Sequence, residues 1–345
     1  MATKTKAAEQ PANHPVISGV EPPAAITGGE LHIRGQHLAT AGWPTVRLGD
    51  RAAHLIVAGD SYIIARVPEA AQGEVQVSSG GLESRTHELH LGVQIADSLH
   101  PVANPAVDHE GNIFSTFSGP RGQKSPVSIY KIDTERNSKP FVTDVMNPTG
   151  LAFDREGLLY VSSRHEGVVY QVTPSGNKSV FVEGMGVATG LAFDREGNLY
   201  VGDRSGTIFK ISKARQIYVF ATLEASIAAY HLAFDTEDNL YVTGPTTSSF
   251  DAVYRISKAG EVEIFYRGLG RPQGIALDQE GRLYVAGSLS GRRGIIRIDA
   301  EGNPEQFLSG QGIVGLVFTP RGSIVLATNS ALFQVDVKIA GRPLP

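Results

Sequence analysis

The chain has 345 residues, of which 41% are hydrophobic and 19% are charged, an ordinary composition for a globular protein with room for two cores. Its net charge of −4 gives no overall attraction to nucleic acid or to an anionic membrane surface. There is no cysteine, so disulfides, thiolate zinc sites and cysteine nucleophiles are excluded.

The first segment, residues 1–14, is polar and contains no apolar run. A secretory signal peptide needs such a run, and a membrane-spanning helix needs about 18 apolar residues. We therefore expect 1–14 to be a disordered tail. We expect no membrane span in the chain and, by default, a cytoplasmic location.

Residues 15–91 contain short alternating apolar stretches separated by glycine and proline. This texture predicts a small immunoglobulin-like β-sandwich. The order of an opening Pro15, the pair Gly28-Gly29 before a strand, Gly35 after it and a later Pro68 resembles the IPT/TIG family of immunoglobulin-like domains. The only tryptophan, Trp43, is expected to cap one end of the sandwich, with an exposed contact for a partner as the alternative.

A single phrase recurs from residue 92 onward. It reads Gly-Leu-Ala-Phe-Asp-Arg-Glu-Gly-Leu-Leu-Tyr-Val at 150–161 and returns almost unchanged at 190–201. Its aspartate position recurs roughly every 40 to 46 residues, the length of one four-stranded propeller blade. The six anchors are Asp108, Asp154, Asp194, Asp235, Asp278 and Thr319. Six anchors predict an all-β, six-bladed β-propeller over residues 92–337, with 338–345 as a C-terminal tail.

The last repeat contains only three predicted strands. Val93–Ala96 precedes the first anchor at the offset expected of an outer strand. We predict that this segment completes blade six, because pairing the first and last segments removes an exposed sheet edge.

The repeated phrase is similar to that of NHL-repeat and gluconolactonase-like (senescence marker protein) propellers. In the gluconolactonase-like enzymes a catalytic divalent metal is held by Glu, Asn and Asp side chains, several of which stand just before the glycine that opens an inner strand. The corresponding positions here are Ala103, Thr149, Thr189, Tyr230, Gln273 and Val314. None is a carboxylate or an asparagine. A hard cation normally takes at least one charged oxygen ligand, so we expect no metal and no cofactor, with Ca²⁺ only if the chain is a lactonase after all.

Other polar residues are expected on the same face of the propeller. The loops there carry more basic than acidic side chains, which would attract a small anionic ligand or an acidic partner protein. The alternative is that long arginine side chains only solvate exposed loops. The basic-loop set is Arg121, Lys124, Arg164, His165, Asp203, Arg204, Arg271, Arg292 and Arg293. The candidate ligand-binding residues are Asn104, Thr149, Arg164, Thr189, Arg204, Tyr230, His231, Gln273 and Arg292.

Two residues could act in catalysis. His231 stands where most repeats have glycine and could exchange protons near neutral pH, and Asp203 could serve as a lone base. Neither has a visible partner in the sequence. The Asp-x-Glu-Gly turns lack the alternating oxygen ligands and distant glutamate of a calcium loop, and their residue types suit a tight turn for local reasons.

The sequence thus favours a non-catalytic binding or scaffold protein that recognises a partner protein or a small anionic ligand at the channel mouth. It does not favour a nucleic-acid surface, because most aromatic residues fall inside predicted strands. The alternative is a gluconolactonase-like lactone hydrolase with a rebuilt site.

Overall fold

The computed structural model describes residues 14–120 and 122–342. Of the expected disordered tail, only His14 is among them. These residues form strands and connecting segments, and none of them forms a helix long and apolar enough to span a membrane. The chain divides into two compact units between Leu91 and Gly92, each described by itself below.

The first unit is a two-sheet sandwich. Its strands are β1 (Val16–Glu21), β2 (Ala24–Ala25), β3 (Glu30–Gln36), β4 (Thr45–Leu48), β5 (Arg51–Ala52), β6 (His54–Ala58), β7 (Tyr62–Arg66), β8 (Val75–Ser79), β9 (Leu82–Glu83) and β10 (His90–Leu91). One sheet has the order β1-β3-β7-β6 and the other β5-β4-β8-β9. Alternate residues such as Leu31, Ile33, Val75 and Val77 are fully buried in a common core. The predicted immunoglobulin-like sandwich is confirmed.

Trp43 lies in the loop between β3 and β4. The prediction that it caps the sandwich is wrong, because its side chain is 75% exposed.

The second unit consists of six four-stranded antiparallel blades. Blade one is formed by β12 (Ala106–Val107), β13 (Ile113–Thr116), β14 (Ile129–Ile132) and β15 (Ser138–Val142). Blade two is formed by β16 (Pro148–Phe153), β17 (Leu159–Ser163), β18 (Val168–Val172) and β19 (Lys178–Glu183). Blade three is formed by β20 (Ala188–Phe193), β21 (Leu199–Asp203), β22 (Thr207–Ile211) and β23 (Ile217–Thr222). Blades four and five are formed by β24 (His231–Phe234), β25 (Leu240–Thr243), β26 (Asp251–Ile256) and β27 (Val262–Leu269); and β28 (Ile275–Leu277), β29 (Leu283–Leu289), β30 (Arg292–Ile298) and β31 (Pro304–Ser309).

Blade six is formed from both ends of the repeat region. It contains β32 (Ile313–Phe318), β33 (Ser323–Thr328) and β34 (Leu332–Asp336), and its outer strand is β11 (Val93–Ala96). β11 pairs antiparallel with β34, with Val93 opposite Gln334. The predicted closure is therefore confirmed.

The residues of the repeated phrase pack adjacent blades together. The phenylalanine of an inner strand meets the aromatic ring of the preceding blade's second strand edge-on, as in Tyr160–Phe193 and Tyr200–Phe234, whose ring centroids lie 4.9 Å apart. The aspartate then caps its own turn: in blade three Asp194 accepts hydrogen bonds from the Asn198 backbone N–H at 2.8 Å and from the Tyr200 hydroxyl at 3.3 Å. The phrase is thus accounted for by packing and turn formation.

Of the expected C-terminal tail, 338–345, the structure describes residues 338–342, and these are bonded to the propeller. The Ile339 N–H donates to the Gly322 carbonyl at 3.1 Å. Ala340 and Arg342 then pair with the inner strand of blade five: the Gln279 N–H donates to Ala340 O at 3.1 Å, and the Arg342 N–H donates to Leu277 O at 3.2 Å.

Candidate functional site

Strand register brings the sequence-predicted residues to one face of the propeller. Inner strands begin where second strands end, as the pairing of Ala188 with Asp203 and of Pro148 with Ser163 shows. We call this the mouth face. The opposite face, which carries the turns between first and second strands, is called the turn face.

The threonines at the expected metal positions are buried and bonded within and between blades. Thr149 and Thr189 are each 1% exposed. The Thr189 hydroxyl donates to Gly202 O at 2.7 Å and accepts the Tyr230 backbone N–H of blade four at 3.1 Å. The Thr149 hydroxyl donates to Asn147 O at 3.2 Å. Both hydroxyls therefore have structural partners.

Thr189→Val is expected to destabilise the propeller by about 1–3 kcal/mol, because it leaves the buried Tyr230 N–H and Gly202 carbonyl without this partner. Urea unfolding monitored by circular dichroism measures the loss. Thr149→Val removes only a local bond and serves as the comparison, with a smaller expected loss. Equal losses in the two variants would contradict the inter-blade role of Thr189.

Asn104 fastens the first blade to the last two. Its side-chain amide donates to Ile275 O in blade five at 2.8 Å, and its carbonyl accepts the Leu316 N–H of blade six at 3.1 Å. The bonds span three blades beside the channel axis. Asn104 thus helps to close the ring.

Tyr230 and His231 are also enclosed. Tyr230 is 1% exposed, and its hydroxyl donates to Glu224 O. Burial raises the pKa of Tyr230 well above its ordinary value. His231 is 2% exposed, and burial lowers its pKa to about 3. Its Nε2 is buried without a hydrogen-bond partner in the structure. A neutral, enclosed imidazole is poorly placed for proton exchange with a bound molecule.

Asp203 closes a turn on the mouth face. Its carboxylate accepts the Val187 N–H at 2.8 Å, the Ser205 N–H at 3.3 Å and the Ser205 hydroxyl. The side chain is 7% exposed. These bonds fix the connections before β20 and after β21, so the carboxylate has a structural role of its own.

The arginines of the mouth face differ from these enclosed groups. Arg204 is exposed, and its Nε donates to Ser226 O at 3.2 Å. Arg164 is partly buried, and its Nη2 donates to the Ser118 hydroxyl at 3.4 Å. Arg292 is exposed at the hairpin between β29 and β30.

Gln273 is partly buried, and its backbone carbonyl accepts a hydrogen bond from the Thr243 hydroxyl at 2.5 Å. Arg121 lies outside the described residues.

The channel narrows at the glycines that open the inner strands. A Cβ on Gly150 would lie 3.2 Å from the Gly190 Cα and inside contact with Thr189 O. A Cβ on Gly274 would meet Gly315 and the Asn104 side chain. Inner strands of neighbouring blades therefore touch at this level, and larger side chains are excluded from it.

Between this constriction and the turn face, a cavity of about 500 Å³ occupies the channel. It was not predicted from the sequence. It is lined by inner strands of all six blades, and near the turn face by His109, Gln279 and Arg342. Blades one to five each contribute one alanine to its wall, and blade six contributes Val317; the alanines are Ala106, Ala152, Ala192, Ala233 and Ala276. Among the described residues no group of three His, Asp or Glu side chains could hold a metal ion.

Comparison with known proteins supports this architecture. Residues 15–81 match the IPT/TIG domain. No curated protein sequence matches the chain. The fold resembles an auxiliary nutrient binding protein from Bacteroides thetaiotaomicron, with a TM-score of 0.56 and 12% identity over 95% of this chain and 99% of the other.

Two enzymes have similar folds. A gluconolactonase from Xanthomonas campestris has a TM-score of 0.57 and 13% identity over 70% of this chain and 88% of its own. A virginiamycin B lyase from Staphylococcus aureus has a TM-score of 0.51 and 12% identity over 85% and 98%, respectively. These identities establish the fold alone. The chain is an all-β protein of two units. In particular, it is an IPT/TIG domain followed by a six-bladed β-propeller.

Proposed function

We propose that this protein is a non-catalytic binding protein whose propeller recognises an acidic partner protein, or a small anionic ligand, through the mouth face. It would do so without a metal or other cofactor. The observation that carries the proposal is the enclosure of Thr149, Thr189 and Tyr230, which leaves exposed charged side chains, the mouth-face arginines among them, as the groups accessible to a partner.

The charge on the loops supports an acidic partner. Arg204, Arg271, Arg292 and Arg293 are exposed there, whereas the carboxylate of Asp203 is buried in its own turn. Exposed guanidinium groups bind carboxylates through paired N–H donors and raise association rates by electrostatic attraction. The enclosed ring beneath them favours a protein surface over a ligand inserted into the mouth.

The proposal predicts salt-sensitive binding of poly-L-glutamate as an acidic polypeptide probe, measured by microscale thermophoresis. Replacing Arg204, Arg271 and Arg292 together by alanine should weaken binding about tenfold or more, since exposed charge pairs contribute up to about 1 kcal/mol each. Lys139→Ala with Lys213→Ala removes two exposed positive charges near the turn-face end and is the control.

Two results would refute the proposal. One is equal binding by the triple variant and the control. The other is hydrolysis of a lactone panel together with stoichiometric bound calcium, which would establish a rebuilt enzyme site. Monomeric glutamate, tested alongside the polymer, separates the two kinds of ligand, because a partner-protein surface should prefer the polymer.

A further inference from the structure

The channel cavity has the size and lining of a small-molecule site. Such sites usually measure about 300–1,000 Å³ and are mostly apolar with a few placed polar groups. This cavity measures about 500 Å³, and the inner strands of all six blades supply most of its wall. Its small residues leave the lumen unfilled: Ala152, Ala233 and Ala276 are partly exposed in it.

The cavity is polar at one end. Of the polar residues in its lining, Asp108 and Thr319 are engaged in their own turns: Asp108 accepts the Asn112 N–H at 2.8 Å, and the Thr319 hydroxyl accepts the Ser323 N–H at 3.2 Å. Arg342 lies at the turn-face end and is partly buried there. At its other end the lining includes Asn104, near the inner-strand glycines where neighbouring strands touch.

The segment that carries Arg342 is held in place. Ala340 and Arg342 pair with the inner strand of blade five, and an Arg342 Nη1 N–H donates to Phe234 O in blade four. One bond to a carbonyl engages one of the five N–H donors of a guanidinium group. Burial lowers the pKa of Arg342, although the nearby Asp235 and Asp238 act to raise it. Asp238 is itself paired with Arg195 at 3.3 Å.

We propose that the central channel binds a small amphiphilic carboxylate, with its apolar portion among the inner strands and its carboxylate at Arg342. An apolar wall with a guanidinium at its rim matches such a molecule, because apolar burial drives binding and the guanidinium pairs with the planar carboxylate. This site is separate from the mouth-face surface and does not depend on it.

Decanoate and 1-decanol are the probes, each titrated into the full chain by isothermal calorimetry. Decanoate should bind at one site per chain. Arg342→Ala should weaken decanoate binding about tenfold or more, with 1-decanol binding unchanged. Arg321→Ala removes an exposed turn-face arginine outside the cavity and should change neither.

Ala233→Leu fills the lumen from blade four and should abolish binding of both probes, with folding checked by circular dichroism. Ala152→Leu, on blade two, does the same if the first variant does not fold. The proposal is overturned if decanoate shows no saturable binding, or if a folded lumen-filling variant binds it normally. It is also overturned if Arg342→Ala weakens both probes equally.

Discussion

Gly190→Ala is expected to lower the free energy of unfolding of the propeller by about 1–3 kcal/mol, even though alanine adds a single methyl group. The new Cβ would lie 2.8 Å from Leu232 Cδ1 and 3.0 Å from the Tyr230 carbonyl carbon. The second contact is with the backbone of the next blade, which can move only by widening the ring. The loss is measured by urea unfolding monitored by circular dichroism.

Gly287→Ala is the matched control, because its Cβ would lie no nearer than 3.4 Å to any neighbouring atom and its backbone does not require glycine. This variant should remain within about 0.5 kcal/mol of the parent. Similar losses in both variants would show that a general effect of replacing glycine by alanine in a strand, rather than crowding at the constriction, accounts for the loss of stability.

The free energy of unfolding should fall as the pH drops below about 6.5. His231 should account for most of this fall, as a comparison of the parent with His231→Leu can show. Burial lowers the pKa of His231 from 6.5 to about 3, so the unfolded chain binds a proton in this range that the folded chain does not. The stabilisation of the folded state that comes from His231 is therefore complete above pH 6.5 and is lost progressively as the pH falls toward 3. Between pH 6.5 and 5 the expected loss is about 2 kcal/mol.

The measurement is urea unfolding at pH 7.5, 6.5, 5.5 and 5 for the parent and for His231→Leu. The variant should lack the His231 part of the pH dependence, whatever its stability at pH 7.5. His165→Gln changes an exposed histidine on the mouth face and should retain the parental dependence. A His231→Leu variant with the parental pH dependence would contradict an enclosed neutral imidazole.

The blades were predictable because the repeated phrase specifies local structure and packing at once. Phe193 and Tyr200 stand at fixed positions in the phrase, and each meets an aromatic ring of a neighbouring blade. The offset of Val93–Ala96 was enough to predict its pairing with β34. The exposure of Trp43 was not predictable, because an aromatic residue beside proline in a loop is compatible with either burial or exposure.

The location of the mouth-face residues could be inferred, but their surroundings could not. Thr189 was placed at the right end of its strand, yet its bond to the Tyr230 N–H depends on the approach of a different blade. The same holds for Asn104, whose partner Ile275 is 171 residues away. Hydrogen bonds of this kind are set by the diameter of the closed ring, which a single repeat does not encode.

The cavity has a signal in the sequence. Alanine recurs at the third position of the phrase in Ala152, Ala192, Ala233 and Ala276, and these residues line the channel. Small residues at the same position of successive blades indicate open space at the axis. Arg342 had no such signal, because its segment follows the last repeat.

The pairing of β11 with β34 has a consequence for synthesis. Every other blade has all four of its strands once its own segment of about 40 residues has left the ribosome. Blade six combines one strand that is synthesised before blade one with three strands that are synthesised after blade five. Until Asp336 has been synthesised and has left the ribosome, Val93–Ala96 remains without its partner strand beside the blades that have already formed. Nascent chains are therefore most exposed to misassociation just before translation of this last blade ends.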